Sequence, residues 1–362
     1  MPWHIKDNMG EFKMAKYKIG IWGQYGDPGT RIADGQAVRT TIITQELEKR
    51  YGQNQICIAN SNRWKKHPLR FLFRCVYMVV NSDNILILPA DNGFKVFVPI
   101  LMFLNHFFHH DLYYIVIGGF LPELLRKKTT YLKYVKRFRA LFVQTENLKR
   151  DLEEQGVNDI YILSNLKRLN TLKREELTVN KNREIRLCTF SRVNKEKGIE
   201  DAIVAVKMAN QKLRKDYIKL DVYGLIPDSY RERFVELLSE NEGIVTYCGI
   251  VEYDKTVETL KEYFALLFPT FYYGEGFPGN LVDAFNAALP IIATDWMYNS
   301  EIVKNDVHGI LVQPHSPEAI CNAILRLYSN RELTYSYAQN CLKEAQKYQP
   351  DIVMKDLYGF LD

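Results

Sequence analysis

Glu275 and Asp283 stand eight positions apart, at the two ends of the turn Gly276-Phe277-Pro278-Gly279-Asn280-Leu281. The apolar run before them, Tyr263 to Phe268, ends at Pro269, and a helix-forming run opens near Gly279. A strand end, a glycine-containing turn and a helix start together offer unpaired backbone N–H groups and the positive end of a helix, which suit an anion such as a phosphate. Glu275 then falls in the loop. Asp283 falls about one turn into the helix, on the face that looks back at the loop. Acids beside an anion need partners that donate hydrogen bonds to them, and sugar hydroxyls are such partners. An ordinary strand-loop-helix junction with solvated acids has the same composition. Pro278 removes one N–H from the turn.

A second cluster follows the run Ile185–Phe190, in Ser191-Arg192-Val193-Asn194-Lys195-Glu196-Lys197-Gly198. Arg192 offers a planar fork and Lys197 a point charge, and the two could neutralise much of a diphosphate; a solvated basic turn is the plainer alternative. In the first half, Gly20, Gly23 and Gly26 follow a G-x-x-G-x-x-G spacing, continued by Gly29, that differs from the dinucleotide fingerprint. Asp34, Gly35 and Gln36 open the first long helix, with Asp34 as a cap. His106, His109 and His110 have no carboxylate or cysteine at ligand spacing, and no Asp-x-Asp ends a strand, so no metal is expected.

These groups need a scaffold, and the chain spells one out as alternating short apolar runs and longer helical-period runs. Strands are expected at Lys18–Trp22, Gln55–Ala59, Asn84–Leu88, Leu112–Ile117, Leu141–Gln144 and Ile160–Leu163. Helices are expected to begin near Gln36, Leu69, Phe94, Leu121 and Asn147. After a polar, charged linker from Lys167 to Arg183 the alternation restarts, with strands at Ile185–Phe190, Ile218–Tyr223, Ile244–Tyr247, Tyr263–Phe268, Pro290–Ala293 and Ile310–Val312. Such alternation implies right-handed crossovers and parallel sheets. The reading is an α/β chain of two doubly wound domains, 1–168 and 169–349, with a final helix in 350–362. Ligands of such sheets sit outside the carboxyl ends of the strands, so a cleft between facing domains is expected.

At 362 residues, two domains are the ordinary expectation, and 47% hydrophobic with 25% charged residues excludes a disordered chain. The six cysteines lie scattered in apolar runs and read as reduced core residues, and the first sixteen residues lack an apolar signal core, so a cytosolic setting is expected. The run Val96 to His110 is too short for a membrane span. Charge is divided unevenly: residues 1–168 carry 25 Lys+Arg against 15 Asp+Glu, net +10, and residues 169–362 carry 23 against 28, net −5. Basic and aromatic residues interleave from Arg63 to Arg74 and from Lys133 to Arg139, a pattern that suits anionic lipid headgroups. Nucleic acid would answer to the same charge, but no recognised module is present.

The Glu275 turn resembles the E-G-F-G signature of the family 4 retaining glycosyltransferases, where a second Glu follows eight residues later; here that acid is Asp283. Ser191-Arg192 with Glu196-Lys197-Gly198 is similar to the family's G-R…E-K-G element. The Asp34-Gly35-Gln36-Ala37-Val38-Arg39-Thr40 stretch and the Pro89-Ala90-Asp91-Asn92-Gly93 turn look like members from bacterial capsule and exopolysaccharide assembly. The resemblance implies a GT-B fold whose last helix crosses back to the first domain. It implies Glu275, Arg192 and Lys197 as catalytic groups, with Gly276, Phe277, Gly279, Asn280, Leu281, Asp283, Gly224 and Gly26 at the donor. Asp34, Gln36, Asn92 and His109 would lie on the acceptor side. A UDP-sugar donor, an undecaprenyl-diphosphate-linked glycan acceptor, no separate cofactor and a peripheral place on the inner face of the plasma membrane follow from the same likeness. A sugar-nucleotide epimerase or hydrolase, or a non-catalytic sugar-nucleotide-binding subunit, are the competing readings.

Overall fold

The computed structural model describes residues 5–6, 12–13, 16–26, 35–177, 185–215 and 217–362. The chain divides into two compact units, Met1–Ser164 with Val353–Asp362, and Asn165–Ile352.

The first unit is built on six parallel strands in the order Ile56–Asn60, Tyr17–Gly23, Ser82–Leu88, Asp111–Ile115, Ala140–Val143 and Ile160–Ile162. Ile85, Leu86, Ile87 and Leu88 are all buried, so this strand is covered on both faces and reads as a continuous apolar run. The winding reverses between Tyr17–Gly23 and Ser82–Leu88. Gly20 and Gly23 lie inside the first of these strands. A Cβ on Gly20 would stand 2.7 Å from a Met78 side-chain carbon, and one on Gly23 2.5 Å from the Thr40 methyl. The first two glycines of the G-x-x-G-x-x-G run therefore let helices approach the sheet and form no phosphate turn. A short helix, Thr129–Val135, adds to the expected set.

Residues 353–362 complete this unit. The Phe360 ring of the helix Lys355–Leu361 lies 4.7 Å from Tyr161 and 5.6 Å from Phe142, and Leu357 and Leu361 are buried. The side chain of Asp362 accepts hydrogen bonds from Arg50 and, at 2.7 Å, from the Tyr51 hydroxyl.

The second unit carries six parallel strands in the order Val245–Gly249, Ile218–Tyr223, Ile185–Phe190, Ala265–Phe268, Ile291–Thr294 and Gly309–Val312. This is the 3-2-1-4-5-6 dinucleotide-fold order, and its winding reverses between Ile185–Phe190 and Ala265–Phe268. Ile185, Leu187, Leu220, Val222, Ala265 and Leu267 belong to one core cluster with helix residues such as Ala202, Val206 and Phe234.

Candidate functional site

The reversal point of the second sheet is where the two sequence clusters meet. The loop after Ile185–Phe190 ends in the turn Lys195–Lys197, capped by Asn194, whose Oδ1 accepts the Lys197 N–H at 3.0 Å. Gly198 follows with φ 74°, and a Cβ there would stand 2.1 Å from the Pro269 carbonyl oxygen. Only glycine lets this loop close on the one after Ala265–Phe268. The two loops are also joined by the Phe271 N–H, which donates to the Glu196 carbonyl at 2.8 Å.

This interlock sets the central contact. Lys197 Nζ donates to Glu275 Oε2 at 2.5 Å, and the same oxygen accepts from the Thr270 hydroxyl at 2.8 Å. Glu275 is 7% exposed, and the ammonium also lies 4.9 Å from the centre of the Tyr272 ring. A nearly buried ion pair of this kind has little water to weaken it. Arg192, two residues past the strand, is exposed, and its guanidinium has no protein partner among the described residues. It remains available to an anion.

The helix Gly279–Asn286 begins just after Glu275, with Pro278 as its extended cap residue. The first-turn N–H groups of Gly279 and Asn280 have no acceptor inside the helix. Asn280 Nδ2 donates to the Phe190 carbonyl at 2.7 Å, which ties the helix start to the neighbouring strand end, while its buried Oδ1 has no partner. Phe277 and Leu281 turn their side chains into the core, so only their backbones are open to a ligand. Gly224, with φ 135°, closes against Ser191, whose carbonyl oxygen a Cβ would meet at 1.8 Å; this pins a third strand end to the same spot.

Asp283 tells a different story from Glu275. The expectation that it lies at the donor meets a carboxylate already committed: Lys167 Nζ donates to its two oxygens at 2.7 and 2.5 Å, and the Thr256 hydroxyl adds a bond at 2.9 Å. Of about four acceptor positions on a carboxylate, three are filled. Asp283 is 1% exposed. Lys167, which the sequence places in a solvated linker, is itself buried. Its neighbour Asn165 donates to the Phe277 carbonyl at 2.8 Å, and Gly279 leaves just enough room for both side chains. A lysine opening a run of charged residues looks exposed, so nothing in the sequence marked it. Thr270 could have been found, because it stands two residues past the strand that ends at the reversal point.

In the first unit, Gln36 and Asn92 open helices at the carboxyl ends of Tyr17–Gly23 and Ser82–Leu88, and Gln36 Nε2 donates to the Leu88 carbonyl at 3.2 Å. His109 does not join them. It caps the far end of the helix Asp91–Phe108, just before Asp111–Ile115, at the amino ends of the parallel strands. Gly26 lies in the first unit three residues past Gly23. Asp34 lies outside the described residues. Among the described residues no group of three or more His, Cys, Asp or Glu is placed to hold a metal ion.

The strand order, the reversal point and the charged turn all fall inside one span with a family signature. Residues 171–347 match the family Glycosyl transferases group 1. The matched segment contains Arg192, Lys197, Thr270, Glu275 and Asp283, while Lys167 lies just before it. An uncharacterized glycosyltransferase of Methanocaldococcus jannaschii, MJ1069, is 26% identical over 219 residues, covering 60% of this chain and 54% of that protein. The chain thus spans about half the length of that relative. Anabaena HepE in complex with UDP superposes with a TM-score of 0.76 at 14% identity, over 95% of this chain and 99% of that one. Sucrose-phosphate synthase of Thermosynechococcus elongatus gives 0.74 at 15% identity, over 95% and 98%. At these identities the likeness establishes the fold alone, a GT-B fold of two Rossmann-like sheets.

Proposed function

We propose that the protein is a retaining glycosyltransferase that moves a hexose unit from a UDP-sugar to a lipid-linked glycan acceptor in bacterial surface polysaccharide synthesis. The observation that carries the reading is the Lys197–Glu275 pair, set at the sheet reversal beside the open helix start at Gly279, within the span matched to the glycosyl transferases group 1. Anabaena HepE, similar in fold, binds UDP and UDP-glucose.

In this reading Arg192, Lys197 and the N–H groups from Gly276 to Leu281 hold the diphosphate, and they stabilise the charge that grows on it as the glycosidic bond breaks. Glu275 orients the sugar while its other contacts keep it fixed. The acceptor hydroxyl attacks the anomeric carbon on the face the diphosphate leaves. The new C–O bond forms as the old one breaks, and the acceptor proton passes to the departing phosphate oxygen. No step uses a metal. Asp283 serves as an anchor for Lys167 and the helix and does not itself hold the donor. The first unit holds the acceptor, with Gln36 and Asn92 at its strand ends.

The test is a melting-shift screen with several nucleoside diphosphate sugars, followed by product analysis with and without a lipid-linked acceptor. The expected outcome is stabilisation by a UDP-sugar and release of UDP only when acceptor is present. Turnover of donor alone would point to the hydrolase or epimerase. Stabilisation without turnover on any acceptor would point to the binding subunit.

A further inference from the structure

Two neighbouring helices of the first unit turn large apolar side chains outward. On Pro68–Asn81, Leu69 is 71% exposed and Phe73, one turn on, 76%; on Asp91–Phe108, Phe103 is 67% exposed and Phe107, one turn on, 62%. Both helices cross in the same direction over the sheet, from its second strand in sequence to its third and from the third to the fourth. Right-handed crossovers therefore put them on one face. Phe71 and Phe97 pack them together, with ring centroids 5.4 Å apart. A single exposed Leu or Phe is ordinary on a protein surface; four of them on two adjoining helices are not.

The surroundings say what covers them. From Arg63 to Ser82 the chain has five Lys or Arg and no Asp or Glu, and Lys65, Lys66 and Arg70 are exposed. On the other flank the helix Thr129–Val135 packs on Asp91–Phe108 through Tyr131 and Phe94, 5.6 Å apart, and presents exposed Lys128, Lys133 and Lys136 beside it. Protein interfaces are depleted in lysine relative to the rest of the surface. A lipid surface favours the opposite arrangement, with apolar groups entering the headgroup boundary while long basic side chains reach the phosphates. No described helix is long and apolar enough to cross a membrane.

We propose that this face docks the protein on an anionic bilayer, with Leu69, Phe73, Phe103 and Phe107 entering the headgroup boundary and the flanking lysines and Arg70 resting on lipid phosphates. The proposal deepens the lipid-linked acceptor reading and rests on it only for why docking is useful. Vesicle binding needs neither donor nor acceptor, so it succeeds or fails independently of transfer. The experiment is cosedimentation of the full chain with phosphatidylcholine vesicles, with and without phosphatidylglycerol, at low and high salt. Binding is expected to anionic vesicles alone and to weaken with salt. Lys65→Gln/Lys66→Gln/Arg70→Gln should lower it about a hundredfold, at about 1 kcal/mol for each charge. Phe73→Ser/Phe107→Ser should lower it about tenfold or more with an unchanged melting temperature. Equal binding to neutral vesicles, or none to either, overturns the proposal. So does a concentration-dependent dimer that Phe73→Ser/Phe107→Ser abolishes, since a second copy would then cover the face.

Discussion

At the carboxyl ends of Ile185–Phe190 and Ala265–Phe268, the second unit gathers a lysine, a glutamate and a hydroxyl within bonding distance, with a free arginine close by in sequence. At the corresponding reversal in the first unit, between Tyr17–Gly23 and Ser82–Leu88, Gln36 donates to the Leu88 carbonyl, and the charged groups described at the start of the next helix, Asp91 and Lys95, are partly exposed and paired with each other. Both sheets are parallel and six-stranded, and both open at the same kind of point. Topology supplies the opening, and the side chains placed there decide whether it can hold a diphosphate. A charged end suits a nucleotide.

The comparison can be broken in three places. The largest effect is expected from Lys167→Met, which leaves Asp283 buried without its cation; the second unit should lose about 3–5 kcal/mol in guanidinium unfolding. Pairing it with Asp283→Leu should restore much of the loss, because removing both charges removes the unpaired one. A single-variant loss within about 1 kcal/mol would mean that the pair acts no more strongly than a surface ion pair. Next comes Lys197→Ala, expected to cut turnover about 10²–10³-fold with the fold retained by circular dichroism, the scale of losing one charge-stabilising donor. Near-normal turnover would remove the charged end from the chemistry and erase the contrast between the units. The smallest is Gln36→Leu, which should cost about 1 kcal/mol of first-unit stability by losing one hydrogen bond, and should leave UDP-induced stabilisation unchanged. A loss of UDP stabilisation would show that this end also serves the donor.

Much of this was legible in the chain because the information was local. Runs such as Ile85-Leu86-Ile87-Leu88 can be little else than a strand covered on both faces, and each expected strand lies within a few residues of an observed one. The two basic and acidic turns were visible because each follows such a run. What stayed hidden depended on distant partners. Lys167 and Asp283 are 116 positions apart, and neither side chain announces the other. The spacing of Gly20 and Gly23 does not announce the helices pressed against them. His109 shares a chain neighbourhood with Asn92, yet a helix of 18 residues carries it to the opposite end of the strands.

The return of residues 353–362 to the first unit has a consequence for how the molecule is made. The second unit is continuous in sequence and can finish packing as soon as its own residues are available, whereas the first, although translated earlier, lacks the helix that covers Tyr113, Phe142 and Tyr161 until residues 353–362 are made. The nascent first unit therefore keeps an aromatic seam uncovered until the whole of the second unit has been synthesised.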